Sequence, residues 1–310
     1  MNSTQLSSSW HTLNGDTNLT RVAQVRWMVW NYINNIFPLA NLDPKLELKP
    51  FNWMSNPELL QQIPEQASPS RKLSELFWHS LPWNRVVAAV GPINVLEVGC
   101  GSGRQSQFLS KILGAAHARY HGIDQTSRPA WTMYADNSNK ICFTECGAHE
   151  VAKYLTDVNL LVSQSFLEHL ENDLAFFLNI QASVIKKDEP FLQIHLVPSA
   201  PCLFNYLIHG IRQYTPRTIS KITKLFTDGT RCELYSLGGK RATRIHSHYI
   251  TYPQILSSVD RRKTDTKKYS DELQQAIFED QKCFVPKAAA FYALVIQSGF
   301  KEPIDFSGSV

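Results

Sequence analysis

Short apolar runs alternate with helical patterns through the middle of the chain. Residues 95–98, 120–124, 141–144, 159–163 and 191–197 are rich in Val, Ile, Leu and Phe, and residues 105–113 follow a helical period. Because the runs are apolar on both sides, they suit strands buried between two layers of helices. The alternation predicts a parallel sheet. A helix over residues 269–282 and a final strand over residues 291–296 complete the pattern.

The first 75 residues follow a different pattern. Apolar residues recur at three- and four-residue steps, at Val22, Val25, Val29, Ile33 and Ile36, which predicts an amphipathic helix. The simplest interpretation is that this apolar stripe packs on the main domain; a membrane-surface or dimer helix is the alternative. Six prolines between residues 38 and 69 disfavour long regular elements there.

Composition narrows the class of protein. The 310 residues are 43% hydrophobic and 19% charged, as in an ordinary globular protein. A net charge of +4 is too small to predict a nucleic-acid partner. The polar start of the chain and the absence of a long apolar run predict a cytoplasmic protein without a signal peptide or transmembrane segment. No C-x-x-C pair occurs, so no metal site is expected.

Three glycines follow the first apolar run. Gly99, Gly101 and Gly103 allow a strand to turn directly into a helix while the backbone passes close to a ligand. A nicotinamide or flavin fingerprint requires a third glycine at position 104, where this chain has Arg104. No G-K-[ST] sequence follows, which excludes the loop of nucleotide triphosphatases.

Residues 97–103, Glu-Val-Gly-Cys-Gly-Ser-Gly, resemble the E-x-G-x-G-x-G loop of class I S-adenosylmethionine-dependent methyltransferases. The resemblance implies that S-adenosylmethionine is the cofactor and that Gly99, Cys100, Gly101 and Gly103 pass close to it. It further implies that Glu97 faces the cofactor's ammonium group and that Asp124, at the next strand end, accepts both ribose hydroxyls.

Two later segments fit the same resemblance. Gly147, Ala148 and His149 follow the third strand, where the family holds the adenine; Ala148 replaces the usual acidic residue, which leaves a backbone contact. Ser163 and Gln164 end the fourth strand, where the family holds the methionine part of the cofactor.

The family implies a Rossmann-like, seven-stranded, mostly parallel α/β sheet with helices on both faces. We expect an N-terminal helical or irregular extension over residues 1–75 and a methyltransferase domain over residues 76–310. A cap over about residues 199–268 is expected to be inserted after the fifth strand.

A hydroxyl acceptor must lose its proton, which calls for a general base. His169, after the fourth strand, and His195, in the fifth, are the catalytic candidates. An orienting role under the cofactor is the favoured interpretation of His169, and a satisfied core histidine is the favoured interpretation of His195. His209, His246, His248 and Ser199 are weaker candidates.

The expected cap is basic. Residues 212–268 contain 13 basic and four acidic residues, or +9, whereas the rest of the chain carries −5. Such a cap suits an anionic acceptor, with Tyr206, Arg212, Tyr214 and Arg217 as substrate-binding candidates. A solvated basic surface over an aromatic core is the equally weighted alternative.

Residues 68–73, 77–83 and 212–217 also resemble methyltransferases of bacterial surface-polysaccharide assembly, which implies a sugar hydroxyl on a glycan or an activated sugar as the acceptor. A natural product or other small molecule is the alternative acceptor, and a non-catalytic cofactor-binding scaffold is the third hypothesis. A homodimer is a further expectation. The acceptor's identity, the general base and the oligomeric state are not fixed by the sequence.

Overall fold

The computed structural model describes residues 6–10, 20–53, 58–136, 140–185, 189–206 and 212–307. His209 lies outside the described residues. The strands are β1 (Leu46–Pro50), β2 (Ile93–Val98), β3 (His117–Asp124), β4 (Ile141–Glu145), β5 (Leu160–Gln164), β6 (Phe191–Pro198), β7 (Arg231–Leu237) and β8 (Phe291–Ser298).

Twelve α-helices connect these strands in the described part of the chain. They are α1 (Arg21–Asn34), α2 (Leu59–Gln62), α3 (Pro69–His79), α4 (Trp83–Val90), α5 (Arg104–Leu113), α6 (Trp131–Tyr134), α7 (Asp173–Val184), α8 (Pro216–Thr223), α9 (Lys240–His246), α10 (Tyr252–Ser257), α11 (Arg261–Thr264) and α12 (Thr266–Gln281). No helix among the described residues is long and apolar enough to cross a membrane.

One eight-stranded sheet forms the centre of the molecule. Its strand order is β1-β7-β8-β6-β5-β2-β3-β4. Adjacent strands pair in parallel except at β8, which is antiparallel to both β6 and β7. The prediction of a mostly parallel α/β sheet is therefore confirmed.

The predicted strand number of seven was wrong, because β1 at the edge of the sheet and its neighbour β7 change the count and the organisation. β1 comes from the N-terminal extension and pairs in parallel with β7 over five residues. β7 comes from the stretch expected to be an inserted cap and pairs with β8. In the sequence, the charged residues Arg231 and Glu233 hid the alternation with the apolar residues Cys232 and Leu234. In the structure, Arg231 and Glu233 form an ion pair with each other.

Helices cover both faces of the sheet. Along β6, Leu192, Ile194 and Leu196 pack into one buried cluster, which also contains Leu73 of α3 and Leu109 of α5. The alternate residues of the sheet pack into a second cluster with α7, α8 and the short 3₁₀ segment Ala148–Tyr154. Successive side chains of a strand point to opposite faces, so apolar runs such as those of β5 and β6 are buried in both layers.

Strand order fixes where a ligand can bind. The chain begins its parallel series at β2, in the middle, proceeds outward through β3 and β4, and then returns to β5 on the other side of β2. In open α/β sheets the crevice at such a reversal, beyond the carboxyl ends of the strands, is the usual ligand site. Here that point lies between β2 and β5.

Candidate cofactor site

The loop from β2 to α5 has a backbone that favours glycine. Gly99, Gly101 and Gly103 have φ values of +74°, +51° and +82°. This left-handed region is strained for residues with a side chain. The amides of Gly99 and Cys100 donate to the carbonyl oxygen of Ile123, at 2.8 and 3.1 Å, so the loop is tied to the end of β3.

Two of these glycines face different surroundings. A Cβ atom on Gly99 would lie 2.2 Å from the ring of Phe166, so this ring lies directly on the loop. A Cβ atom on Gly101 would meet nothing within 4 Å. The loop is therefore closely packed at its start and open at its middle, where a ligand can approach the backbone.

A cavity of about 950 Å³ opens over this part of the loop. Its walls come from the carboxyl ends of β2, β3 and β5, the segment after β4, and the first turns of α7. The lining includes Gly99, Gly101, Asp124, Arg128, Gly147, Ala148, His149, Ser165, Phe166, His169, Leu170, Glu171, Asn172, Ala175, Phe176 and Asn179. Six predicted cofactor residues, Gly99, Gly101, Asp124, Gly147, Ala148 and His149, are thus brought together around one space.

Asp124 connects the loop to this cavity. One carboxylate oxygen accepts from the amide of Gly101 at 2.9 Å, and the other accepts from the amide of Thr126 at 3.2 Å. A carboxylate offers about four acceptor positions, so acceptor capacity remains for a ligand. The two backbone contacts fix the carboxylate at the cavity wall.

Glu97 does not line the cavity. Its side chain is 4% exposed and accepts a hydrogen bond from the hydroxyl of Tyr120 beneath the loop. Burial raises the pKa of Glu97 to about 8, with the nearby charge of Asp124 acting in the same direction. The group is therefore largely protonated at pH 7, which does not match the ionised partner for an ammonium group that the resemblance implies.

The remaining predicted cofactor residues lie around the cavity rather than in its lining. Cys100 is buried, and burial raises the pKa of its thiol. Gly103 approaches the ring of Phe143, which stacks on Trp131. Ser163 bonds to Nδ1 of His195 at 2.8 Å, inside the sheet. The amide oxygen of Gln164 accepts from Trp78 at 3.0 Å.

The two predicted catalytic histidines have different surroundings. His169 is half-buried and lines the cavity. His195 is fully buried between Ser163 and the rings of Phe176 and Phe177, and burial lowers its pKa to about 3. A fully buried ring that does not line the cavity matches the favoured interpretation of His195 as a core residue.

The predicted substrate-binding residues do not line the cavity. Arg212 and Tyr214 are buried, and both bind the carboxylate of Asp173, at 3.0 Å each. Arg217 donates to the backbone oxygen of Asn34, and Tyr206 lies 3.5 Å from the hydroxyl of Ser70. These described contacts hold parts of the fold together.

The basic stretch over residues 212–268 does not form a positive wall above the loop. Besides Arg212, ion pairs to carboxylates engage Arg231, Arg241, Arg261, Arg262, Lys267 and Lys268. Lys221 and Lys224 donate to backbone oxygens. None of the basic residues of this stretch lines the cavity. The charge asymmetry of the sequence therefore does not place a basic surface at this cavity.

Several cavity residues were not found by sequence reasoning. Phe166 and Ser165 directly follow the predicted fourth strand, and Ser165 has a left-handed backbone (φ +51°) that turns the chain toward the loop. Asn172 and Asn179 reach the cavity from α7. The position of Phe166 beside a motif strand was an available signal, whereas no local pattern marks the two asparagines.

No known family model matches the chain, and no curated protein matches its sequence. Solved structures with a similar arrangement include the plantazolicin methyltransferase BamL in complex with SAH (14% identity, TM-score 0.45, 80% of this chain and 93% of that one). Others are the [4+2]-cyclase SpnF (14%, 0.43, 89% and 94%) and a cyclopropane-fatty-acyl-phospholipid synthase-like protein from Lactobacillus casei (15%, 0.42, 77% and 98%). At these scores the likeness assigns no ligand or reaction to this chain.

The buried carboxyl of Glu97 predicts a pH dependence. The folded chain keeps a proton that the unfolded chain releases, so this residue's contribution to the free energy of unfolding falls as pH rises from about 4.5 to about 8, by about 1.4 kcal/mol per unit. Urea unfolding across this range should therefore show Glu97→Gln gaining stability relative to the unsubstituted chain as pH rises.

Glu150→Gln is the control, because Lys153 lowers the pKa of half-buried Glu150 and keeps it ionised over the same range. A constant difference between Glu97→Gln and the unsubstituted chain would show that Glu97 is ionised in the fold.

The buried Arg212–Asp173 pair predicts a large loss of stability on substitution. Arg212→Met leaves a buried carboxylate without its cation, which should reduce the free energy of unfolding by about 3–5 kcal/mol. Arg241→Met breaks an exposed pair with Glu279 and should change it by less than about 1 kcal/mol. Equal losses in urea unfolding would contradict a structural role for Arg212.

Proposed function

We propose that this chain is a methyltransferase that uses S-adenosylmethionine and methylates a small-molecule acceptor. The observation that carries the proposal is the meeting of the open Gly101 backbone and the Asp124 carboxylate at one cavity. The glycine spacing and the acid at the end of the next strand belong to the motif that resembles class I methyltransferases. Their position at the carboxyl ends of the adjacent strands β2 and β3, beside the strand-order reversal, supports that resemblance.

The residues present fit this cofactor in most respects. Asp124 would accept the ribose hydroxyls, and the segment Gly147, Ala148 and His149 would hold the adenine against the cavity wall. Open space at Gly101 lets the cofactor cross the loop without meeting a Cβ atom. Glu97 supports the loop from below, and its carboxyl is bound to Tyr120. The ammonium group would therefore need another acceptor.

The chain's main chemical contribution would be to position the reactants. When bound, S-adenosylmethionine supplies an electrophilic methyl group on a sulfonium centre. The cavity walls would hold the acceptor in line with that group, and such alignment can account for much of the acceleration. His169 is the lining residue that we propose takes the acceptor's proton, at a ring nitrogen.

The cavity favours a neutral acceptor over an anionic one. Away from the loop its lining combines the apolar side chains of Leu170, Ala175 and Phe176 with the amides of Asn172 and Asn179. Such a wall suits a ligand with an apolar body and a few hydroxyl or amide groups. None of the basic residues of the stretch 212–268 that suggested an anionic glycan lines the cavity, so a neutral natural product or a neutral sugar hydroxyl fits better.

Asp124→Ala should weaken binding of S-adenosylmethionine by about 1–3 kcal/mol, the range for leaving buried polar groups unpaired. Isothermal titration would measure it, with Asp124→Asn as a variant that retains one oxygen for the Gly101 amide. Asp271→Ala removes a carboxylate that is paired only with Lys267 among its described contacts, and should leave affinity unchanged. Equal affinities for all variants would show that the ribose does not bind at Asp124.

Turnover separates an enzyme from a binding scaffold. Incubation with S-adenosylmethionine and a panel of neutral natural products, nucleotide-sugars and glycans should yield S-adenosylhomocysteine and an acceptor heavier by one methylene, detected by mass spectrometry. His169→Gln should lower the rate and keep cofactor affinity. Tight cofactor binding with no product from any acceptor class would instead favour the scaffold.

A further inference from the structure

Helix α1 has its polar and apolar faces reversed relative to the sequence-based expectation. The expected packing stripe is exposed, with Val22, Val25 and Val29 at 79%, 57% and 45%. The residues that face the protein are Trp27, Asn31 and Asn34, which are at most 1% exposed. The interpretation of this stripe as packed on the main domain was therefore wrong.

The orientation of α1 is fixed by specific contacts. The side-chain oxygen of Asn34 accepts from the amide of Trp10 at 3.3 Å, and the backbone oxygen of Asn34 accepts from the guanidinium of Arg217. The amide of Arg217 donates to the backbone oxygen of Pro38 at 2.9 Å. The rings of Trp10 and Trp30 meet edge to face at 4.6 Å. Turning the apolar face inward would break these contacts.

The exposed apolar area is large for a monomer. We define the α1 stripe as Val22, Val25, Val29, Tyr32, Ile33, Ile36 and Phe37, which are between 42% and 79% exposed. Together they expose on the order of 700 Å², above the roughly 300–600 Å² of the largest patch on a typical monomer. This area approaches the roughly 800 Å² that each partner contributes to a standard protein interface.

We propose that the α1 stripe is the interface of a two-fold homodimer in which two α1 helices pack antiparallel. A two-fold axis makes one surface complementary to itself. The stripe's area is sufficient for this interface, and its apolar character resembles the centre of a homodimer interface. The proposal does not depend on the proposed methyltransferase activity.

Charge sets the antiparallel direction. Arg21 and Arg26 lie in the first half of α1, and no acidic residue occurs between positions 20 and 42. Parallel packing would place these arginines against their own copies. Antiparallel packing around Val29 places Arg26 beside Tyr32 of the second copy, where a cation can lie on the aromatic ring. It also brings both arginines toward the negative end of the other helix.

A lipid surface fits this face less well. A helix lying in a membrane interface immerses a continuous apolar face and keeps its basic residues on the other side. Arg26 lies four residues after Val22 and three before Val29, so it lies on the same face of the helix as the α1 stripe. Immersion would take its guanidinium into the apolar region.

Sedimentation velocity of the full chain, from about 1 to 100 µM, tests the dimer. The unsubstituted chain should form a concentration-dependent dimer, and Val25→Lys and Val29→Lys should each raise its dissociation constant at least about tenfold. Ile185→Lys is the matched control, since Ile185 is 58% exposed at the far end of α7 and Val25 is 57% exposed. Unchanged thermal unfolding would show that the variants fold.

A charge exchange tests the direction. Tyr32→Arg should weaken the dimer by placing a second guanidinium against Arg26 of the other copy. Adding Arg26→Glu should restore at least part of the affinity, because the two introduced side chains carry opposite charges and would then pair across the axis. In a parallel arrangement the double variant would still repel itself at both positions and would be no tighter than Tyr32→Arg.

Three results would overturn the proposal. They are a monomer at every concentration, a dimer that responds equally to Ile185→Lys and Val25→Lys, and a double variant that dimerises no more tightly than Tyr32→Arg. A monomer that sediments with vesicles of phosphatidylcholine and phosphatidylserine, and loses this association on Val25→Lys, would assign the stripe to a lipid surface instead.

Discussion

The tight turn between β2 and α5 is the constraint on which the site depends. A strand buried on both faces must leave the sheet and begin a helix within five residues, and three left-handed glycines make this turn without strain. Two amide hydrogen bonds to Ile123 anchor the turn to β3. The anchoring places Asp124 where its carboxylate accepts from Gly101, so the shape of the turn also sets the cavity wall.

The two acidic residues near this turn, Asp124 and Glu97, differ in burial. Asp124 lies at the cavity, where backbone amides bind its oxygens, whereas Glu97 lies beneath the loop and accepts from the hydroxyl of Tyr120. Loss of solvent raises the pKa of Glu97 and leaves it as a neutral support of the loop. Two acids with equal prominence in the motif therefore have different physical roles, and the negative charge is concentrated at the cavity.

The periphery of the molecule relies on polar contacts between segments far apart in sequence. Asp173, at the start of α7, binds Arg212, Tyr214 and the segment around Ser8. Lys221 donates to the backbone of Ser8, and Arg217 holds the end of α1. These contacts engage much of the positive charge of residues 212–224 and fix α1 with its apolar face outward. The basic residues between positions 212 and 224, which had suggested a ligand surface, thus serve mainly to attach the N-terminal part.

The sequence by itself determined the parallel strands β2 to β6, the final strand β8 and the glycine turn, because apolar periodicity and backbone conformation are local properties. Tertiary structure decided the edge strand β1 and its neighbour β7, since they pair with distant partners and their polar residues are neutralised there. It also decided that residues outside the motifs, such as Asn172 and Asn179, reach the cavity, and which face of α1 is exposed. Burial and pairing depend on neighbours across the fold, and no local pattern specifies them.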